Sequence, residues 1–298
     1  MADFGRLITA MVTCFADDGS VNYGATGQLA LALLDSGSDG VLVAGTTGES
    51  PTLTHEEKLR LFAEVKSAVG ERGAVIAGTG TFNTAETVEL TREAERTGVD
   101  GVLMVTPYYN KPTQEGLVRH FRAAAEATSL PCIVYNLPGR TSLNMTAETT
   151  IRLSQIDNIV GIKEASNDLT QIARIVEGVG EGFRVWSGAD EDTLPILSVG
   201  GYGVVSVSSH LVGTQLKRMI DDYVAGRAED AARIHRQHLP LIKALFTVTS
   251  PIPVKYALRQ LGFPVGGLRL PLCDPDGETA ERIMAEVRRH EIDLAVAV

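Results

Sequence analysis

The chain is 298 residues long, with 44% apolar and 21% charged residues, which suits one large packed domain and not a disordered chain. Its 27 basic residues against 37 acidic ones give a formal charge of -10. That excludes nucleic acid as a main partner, and an anionic substrate would have to be met by a local basic residue.

Short apolar runs at 7–12, 40–44, 74–78, 101–105, 132–135, 159–163, 183–187 and 203–207 predict eight strands at the pace of βα units. They are apolar at consecutive positions, as in parallel strands buried on both faces. Helical spacing fills the intervals. Thr54 opens one helix as its N-cap, with Glu57 completing a capping box and Leu59, Phe62, Val65 and Val69 as the apolar face. Thr84 and Thr113 are expected to open two more. Eight such units predict an α/β chain folded as a (β/α)8 TIM barrel over residues 1–226. The Ala-, Arg- and Leu-rich remainder, 227–298, reads as a helical C-terminal domain with no linker before it. No apolar run reaches the roughly 18 residues of a membrane span, and the N-terminus lacks a signal pattern, so a cytoplasmic protein is expected. Cys14, Cys132 and Cys273 form no CxxC pair and each reads as a small core hydrophobe.

In such a barrel, function sits beyond the C-terminal ends of the strands. Gly45-Thr46-Thr47-Gly48-Glu49-Ser50 follows the second strand. Its glycines permit positive φ, so its N–H groups could form a small anion nest, though a tight hydroxyl-capped turn fits equally. Tyr108 and Tyr109 stand between prolines after the fourth strand, where packing or subunit contact is the plainer reading. Tyr135 shares a face with Ile133 and would point into the barrel mouth. Lys163 ends the sixth strand, and period two puts Ile159, Gly161 and Lys163 on one face, with Gly161 leaving room for the lysine. Burial disfavours an ammonium and lowers its pKa, which suits Schiff-base chemistry. The alternatives are a structural ion pair with Glu49 or Glu164, or a lysine that reaches solvent. His235 and His238 lie three apart on a predicted helix with no third ligand, so they read as a solvated face and no metal site is expected. With no Gly-x-Ser-x-Gly elbow and no HExxH, the chemistry falls to lysine, tyrosine and threonine.

Five segments then stand in an informative order: 45–50, 107–112, Tyr135-Asn136 with Pro138, Arg140 and Thr141, 161–165, and Ser187-Gly188 with Asp190. Together with Pro251-Ile252-Pro253-Val254-Lys255 they resemble the dihydrodipicolinate synthase family of class I, pyruvate-dependent aldolases. The resemblance covers nearly the whole chain and implies a barrel with a helical C-terminal domain, no cofactor, and a homotetramer built as a dimer of dimers. It implies the condensation of pyruvate with L-aspartate 4-semialdehyde in lysine and diaminopimelate biosynthesis. Lys163 would form the Schiff base and Tyr135 would move protons. Thr46 and Tyr109 would complete a relay, with Tyr109 reaching in from a neighbouring subunit. Thr47, Val205 and Gly188 would hold pyruvate, and Arg140 the carboxylate of the aldehyde.

Sister aldolases acting on N-acetylneuraminate or 2-keto-3-deoxy-sugar acids share the lysine, the tyrosine and the glycine-rich loop. Arg140 favours the small carboxylated aldehyde instead. A non-catalytic binding barrel is disfavoured because every matched catalytic position is intact. Some members of the family are inhibited by L-lysine near segments 50–58 and 80–86. Ser50, His55, Glu86 and Tyr108 match positions used there, whereas Lys58 and Phe82 depart from them. A cation and an apolar ring at those places imply weak or absent lysine feedback.

Overall fold

The structure, a computed structural model, describes residues 4–295. Eight strands form a closed parallel barrel in sequence order. They are β1 (Leu7–Ala10), β2 (Gly40–Val43), β3 (Ala74–Gly78), β4 (Gly101–Val105), β5 (Cys132–Asn136), β6 (Ile159–Glu164), β7 (Arg184–Ser187) and β8 (Gly203–Ser206). β8 closes onto β1, with Ile8 opposite Val205. Each expected strand is present, with ends within two residues of those read from the sequence.

The consecutive apolar runs serve two cores. Ile8, Leu42, Ile76, Leu103, Ile133, Trp186 and Val205 fill the barrel interior. Their neighbours Leu7, Val41, Val75, Val102, Val134 and Val204 face the surrounding helices. Strict alternation fails in β6. Cys132 pairs with Ile159 but Ile133 pairs with Gly161, so one residue of β6 is extra. Ile159 therefore joins the outer core and does not share the face of Gly161 and Lys163. Gly161 has a different purpose from the one expected: a Cβ there would lie 2.6 Å from the Trp186 indole and 2.4 Å from the Arg184 carbonyl oxygen. The space belongs to the tryptophan.

The capping box on the helix His55–Val69 is present: Thr54 Oγ1 accepts from Glu57 N–H at 3.2 Å, and Glu57 Oε2 accepts from Thr54 N–H at 2.9 Å. Leu61, Phe62, Val65 and Val69 form its buried face, with Leu59 only half-buried. Thr113 caps the helix Gln114–Ala125. Asn83, not Thr84, caps the helix Thr84–Glu95, its side chain accepting from Ala85 N–H at 3.0 Å, while the Thr84 hydroxyl meets His120 Nδ1 at 2.9 Å.

After β8 and the helix Ser209–Val224, three helices follow: Ala228–Leu245, Ile252–Gln260 and Gly277–Val287. The first packs along Ser209–Val224 and reaches the turn after β7. His238 is not on a solvated face; it is buried, with Nδ1 bonded to the Ile234 carbonyl at 2.8 Å. Cys14 and Cys132 are buried as expected, but Cys273 is exposed, in the irregular segment before the last helix. Among the described residues no helix is long and apolar enough to cross a membrane.

Candidate active site

Lys163 leaves the inner face of β6 near its C-terminal end and is only 5% exposed. Its Nζ lies over the Tyr135 ring, 4.2 Å from the centroid. Among the described residues it has no ion pair. Glu49 and Glu164, its two candidate partners, are committed elsewhere. Glu49 binds Lys255 Nζ at 2.6 Å, and Glu164 accepts from Asn136 Nδ2 at 3.1 Å and Ser166 N–H at 2.7 Å. Burial, helped by the Arg140 charge, draws Lys163 down to about 7, while Asp190 pulls the other way. Gly188 makes the room that Gly161 does not: a Cβ there would meet the Lys163 stem at 3.2 Å and Ala165 at 2.9 Å.

Two adjoining cavities of about 220 and 360 Å³ open at the C-terminal mouth. Thr46, Tyr135, Leu137, Arg140 and Lys163 line both. Thr47 and Gly188 line the larger one. Tyr135 is buried against the lysine, and burial pushes its phenol well above the ordinary range, so the hydroxyl keeps its proton. Arg140 stands on the short helix Pro138–Thr141 and donates from Nη2 to the Ser250 carbonyl at 2.9 Å. A guanidinium thus overhangs the mouth of an acidic protein. Val205 is buried in the barrel interior and lines neither cavity. Tyr109 is 92% exposed at φ 73° and also lines neither, although its neighbour Tyr108 lines the smaller one.

The glycine-rich loop works differently from the expectation. Its left-handed residues are Ala44 (φ 51°) and Glu49 (φ 57°), not its glycines. Gly48 is needed for close approach instead, since a Cβ would lie 3.1 Å from the Ala44 backbone. Glu49 N–H and Ser50 N–H turn back onto the Thr46 and Gly45 carbonyls at 3.1 and 3.2 Å. The Glu49 carboxylate, 0% exposed at its side chain, then anchors this turn to Lys255 in the helical extension. Arg269 N–H adds a second bond to Glu49 at 2.9 Å.

Sequence reasoning left the extension out of the site. Ile242, Phe246 and Ser250 line the larger cavity. The signal was the adjoining segment 251–255, which carried part of the family resemblance without a role.

A buried lysine held near neutrality, facing a cavity with hydroxyls and one guanidinium, places this barrel in the class of lysine-dependent aldolases. The family model described as "Dihydrodipicolinate synthetase family" matches residues 3–290, and the chain belongs to that family. It is 61% identical to the 4-hydroxy-tetrahydrodipicolinate synthase of Dehalococcoides mccartyi strain CBDB1, covering 99% of this chain and 100% of that one. A second relative of that name, from Symbiobacterium thermophilum, is 58% identical over 95% of this chain and 97% of its own. Among solved structures, the dihydrodipicolinate synthase of Cyanidioschyzon merolae with lysine bound superposes with a TM-score of 0.94 at 50% identity, covering 96% and 97% of the two chains. The pyruvate complex of the chloride-inhibited enzyme of Acinetobacter baumannii gives a TM-score of 0.93 at 34% identity, covering 99% and 100%.

Proposed function

We propose that the chain condenses pyruvate with L-aspartate 4-semialdehyde to 4-hydroxy-tetrahydrodipicolinate, with Lys163 as the Schiff-base residue. The observation that carries this reading is Lys163 itself, buried against an open cavity and without an ion pair among the described residues. Its free amine attacks the ketone carbon of pyruvate, and water leaves to give a protonated imine. That cation withdraws electrons, so a methyl proton is lost and an enamine forms. The enamine carbon attacks the aldehyde of the second substrate. The substrate's amino group then adds to the imine carbon, closes the ring and releases Lys163.

Tyr135, whose ring centroid lies 4.2 Å from Nζ, passes protons at the imine, and its raised pKa keeps it a donor between steps. Thr46 connects it toward the loop. Tyr109, turned away from its own cavity, reaches the site of a second copy in a homotetramer built as a dimer of dimers. Thr47 and Gly188 seat the pyruvate carboxylate, whereas Val205, in the barrel interior, lines neither cavity and has no part in seating it. Arg140 takes the carboxylate of the aldehyde. In this reading, residues 1–226 carry the catalytic barrel and 227–298 the helical domain that completes its mouth. The site of action is the cytoplasm. A coupled assay with pyruvate and a panel of aldehydes tests the reading. Aspartate semialdehyde should be used far better than sugar-derived aldehydes; the reverse order would assign the chain to a sister aldolase.

A further inference from the structure

Asp190 stands three residues beyond β7 and takes no part in the steps above. It is 2% exposed, yet its carboxylate is fully engaged by donors from one short stretch. Oδ2 accepts from Val207 N–H at 3.0 Å, and Oδ1 from Ser208 N–H at 3.3 Å and Ser208 Oγ at 2.5 Å. Ser206 Oγ also donates to Oδ1. All these donors lie within residues 206–208 at the end of β8, and Val207 among them lines the larger cavity. Asp190 lines the larger cavity with Lys163, but it makes no ion pair with it.

The charges facing Lys163 come from few elements. The end of β5 supplies the Tyr135 phenol and, just beyond, the Arg140 guanidinium. The segment after β7 supplies Asp190 and Glu191. The loop after β2 offers only the hydroxyls of Thr46 and Thr47, since Glu49 is turned to Lys255. The extension offers Ile242, Phe246 and Ser250, none of them charged. Arg140 therefore opposes a cation on Lys163, and Asp190 favours one.

We propose that Asp190 is a positioning residue for the Schiff-base steps. It ties the end of β7 to the end of β8, which fixes Val207 in the cavity wall, and its charge compensates the protonated imine on Lys163. A direct ion pair would lock the resting lysine in its protonated, non-nucleophilic form. A carboxylate held back by four donors leaves the amine free to lose its proton and still offsets the cation once the imine has formed. The inference rests on Lys163 being the Schiff-base residue.

Borohydride trapping of the pyruvate adduct across pH, with steady-state kinetics, tests it on two variants. Asp190→Asn should still form the adduct, with its pH midpoint moved down by about one unit, because the charge that raises the lysine pKa is gone. Its kcat should fall roughly tenfold or more, while KM for the aldehyde stays near the original value. Ser208→Ala removes a donor and leaves the charge less neutralised, so its midpoint should move up and KM for pyruvate should rise. A folded Asp190→Asn with an unmoved midpoint and kcat overturns the proposal. If that variant does not fold, an unchanged midpoint and KM in Ser208→Ala overturns it equally. Absence of any adduct at Lys163 in the unaltered protein would instead remove the reading on which the proposal rests.

Discussion

Two lysines lie deep in this molecule, and they have opposite surroundings. Lys163 and Lys255 are 5% and 1% exposed, and each ammonium sits over an aromatic ring, Tyr135 at 4.2 Å and Phe15 at 4.0 Å. Burial draws both below the usual lysine range. Lys255, however, is bonded to Glu49 at 2.6 Å in the seam between the barrel and the helical extension. Lys163 has no such partner among the described residues and looks into a cavity. Burial alone therefore does not mark a catalytic lysine. A missing counter-ion combined with room for a substrate does.

The largest loss is expected at the seam. Lys255→Met leaves the Glu49 carboxylate buried and unpaired, which should cost about 3–5 kcal/mol of stability in denaturant unfolding. Removing both partners as Glu49→Leu/Lys255→Met should recover most of that loss. A single variant as stable as the parent would mean that water reaches Glu49.

Lys163→Met should act in the opposite direction. The unfolded chain holds the lysine proton up to the usual 10.5, whereas the folded chain releases it near 7. The unfolded state therefore binds more protons between those values, and the parent gains stability as pH rises through that window. Replacement removes a penalty that is complete below pH 7, so the variant should be more stable there, by on the order of a few kcal/mol, and inactive. The gain should shrink toward pH 10.5. Melting curves at the two ends of the window decide the sign.

Arg140→Ala sharpens the picture of the mouth. Loss of a charge-assisted contact should reduce kcat/KM for aspartate semialdehyde roughly 10- to 150-fold while sparing adduct formation with pyruvate. Equal loss of both would assign Arg140 to the scaffold, through its bond to the Ser250 carbonyl.

The smallest expected effect is that of added L-lysine. Lys58 is half-buried and interacts with the Glu86 charge, and Phe82 packs edge-on against Tyr108 with centroids 5.3 Å apart. The carboxylate that could meet a ligand ammonium already faces a cation, and the ring removes an amide-sized polar place. An inhibition titration should stay flat through sub-millimolar lysine. Half-inhibition in that range would require Lys58 to swing clear of Glu86.

The barrel was legible because two cores demand apolar residues at consecutive strand positions, a pattern that survives without any contact information. The site segments were legible because strand ends in a barrel converge. The extra residue in β6 was not, since nothing in Ile159 or Val160 distinguishes a bulge from plain pairing. Nor were the left-handed conformations at Ala44 and Glu49, which are uncommon for residues with a Cβ. At Glu49 the conformation is held by a partner 206 residues away, and that distance hides the Lys255 pairing from any local reading. Lys163 itself could be placed, but its freedom from Glu49 and Glu164 depended on where those two carboxylates found other donors.

The claim that the unpaired buried lysine is the reactive one is tested most directly by trapping with pyruvate and borohydride, followed by peptide mapping, as a function of pH. One adduct is expected, on Lys163, with its formation rate rising through a midpoint near pH 7 as the amine loses its proton. An adduct on Lys255 or another lysine, or a Lys163 midpoint close to the ordinary 10.5, would contradict it.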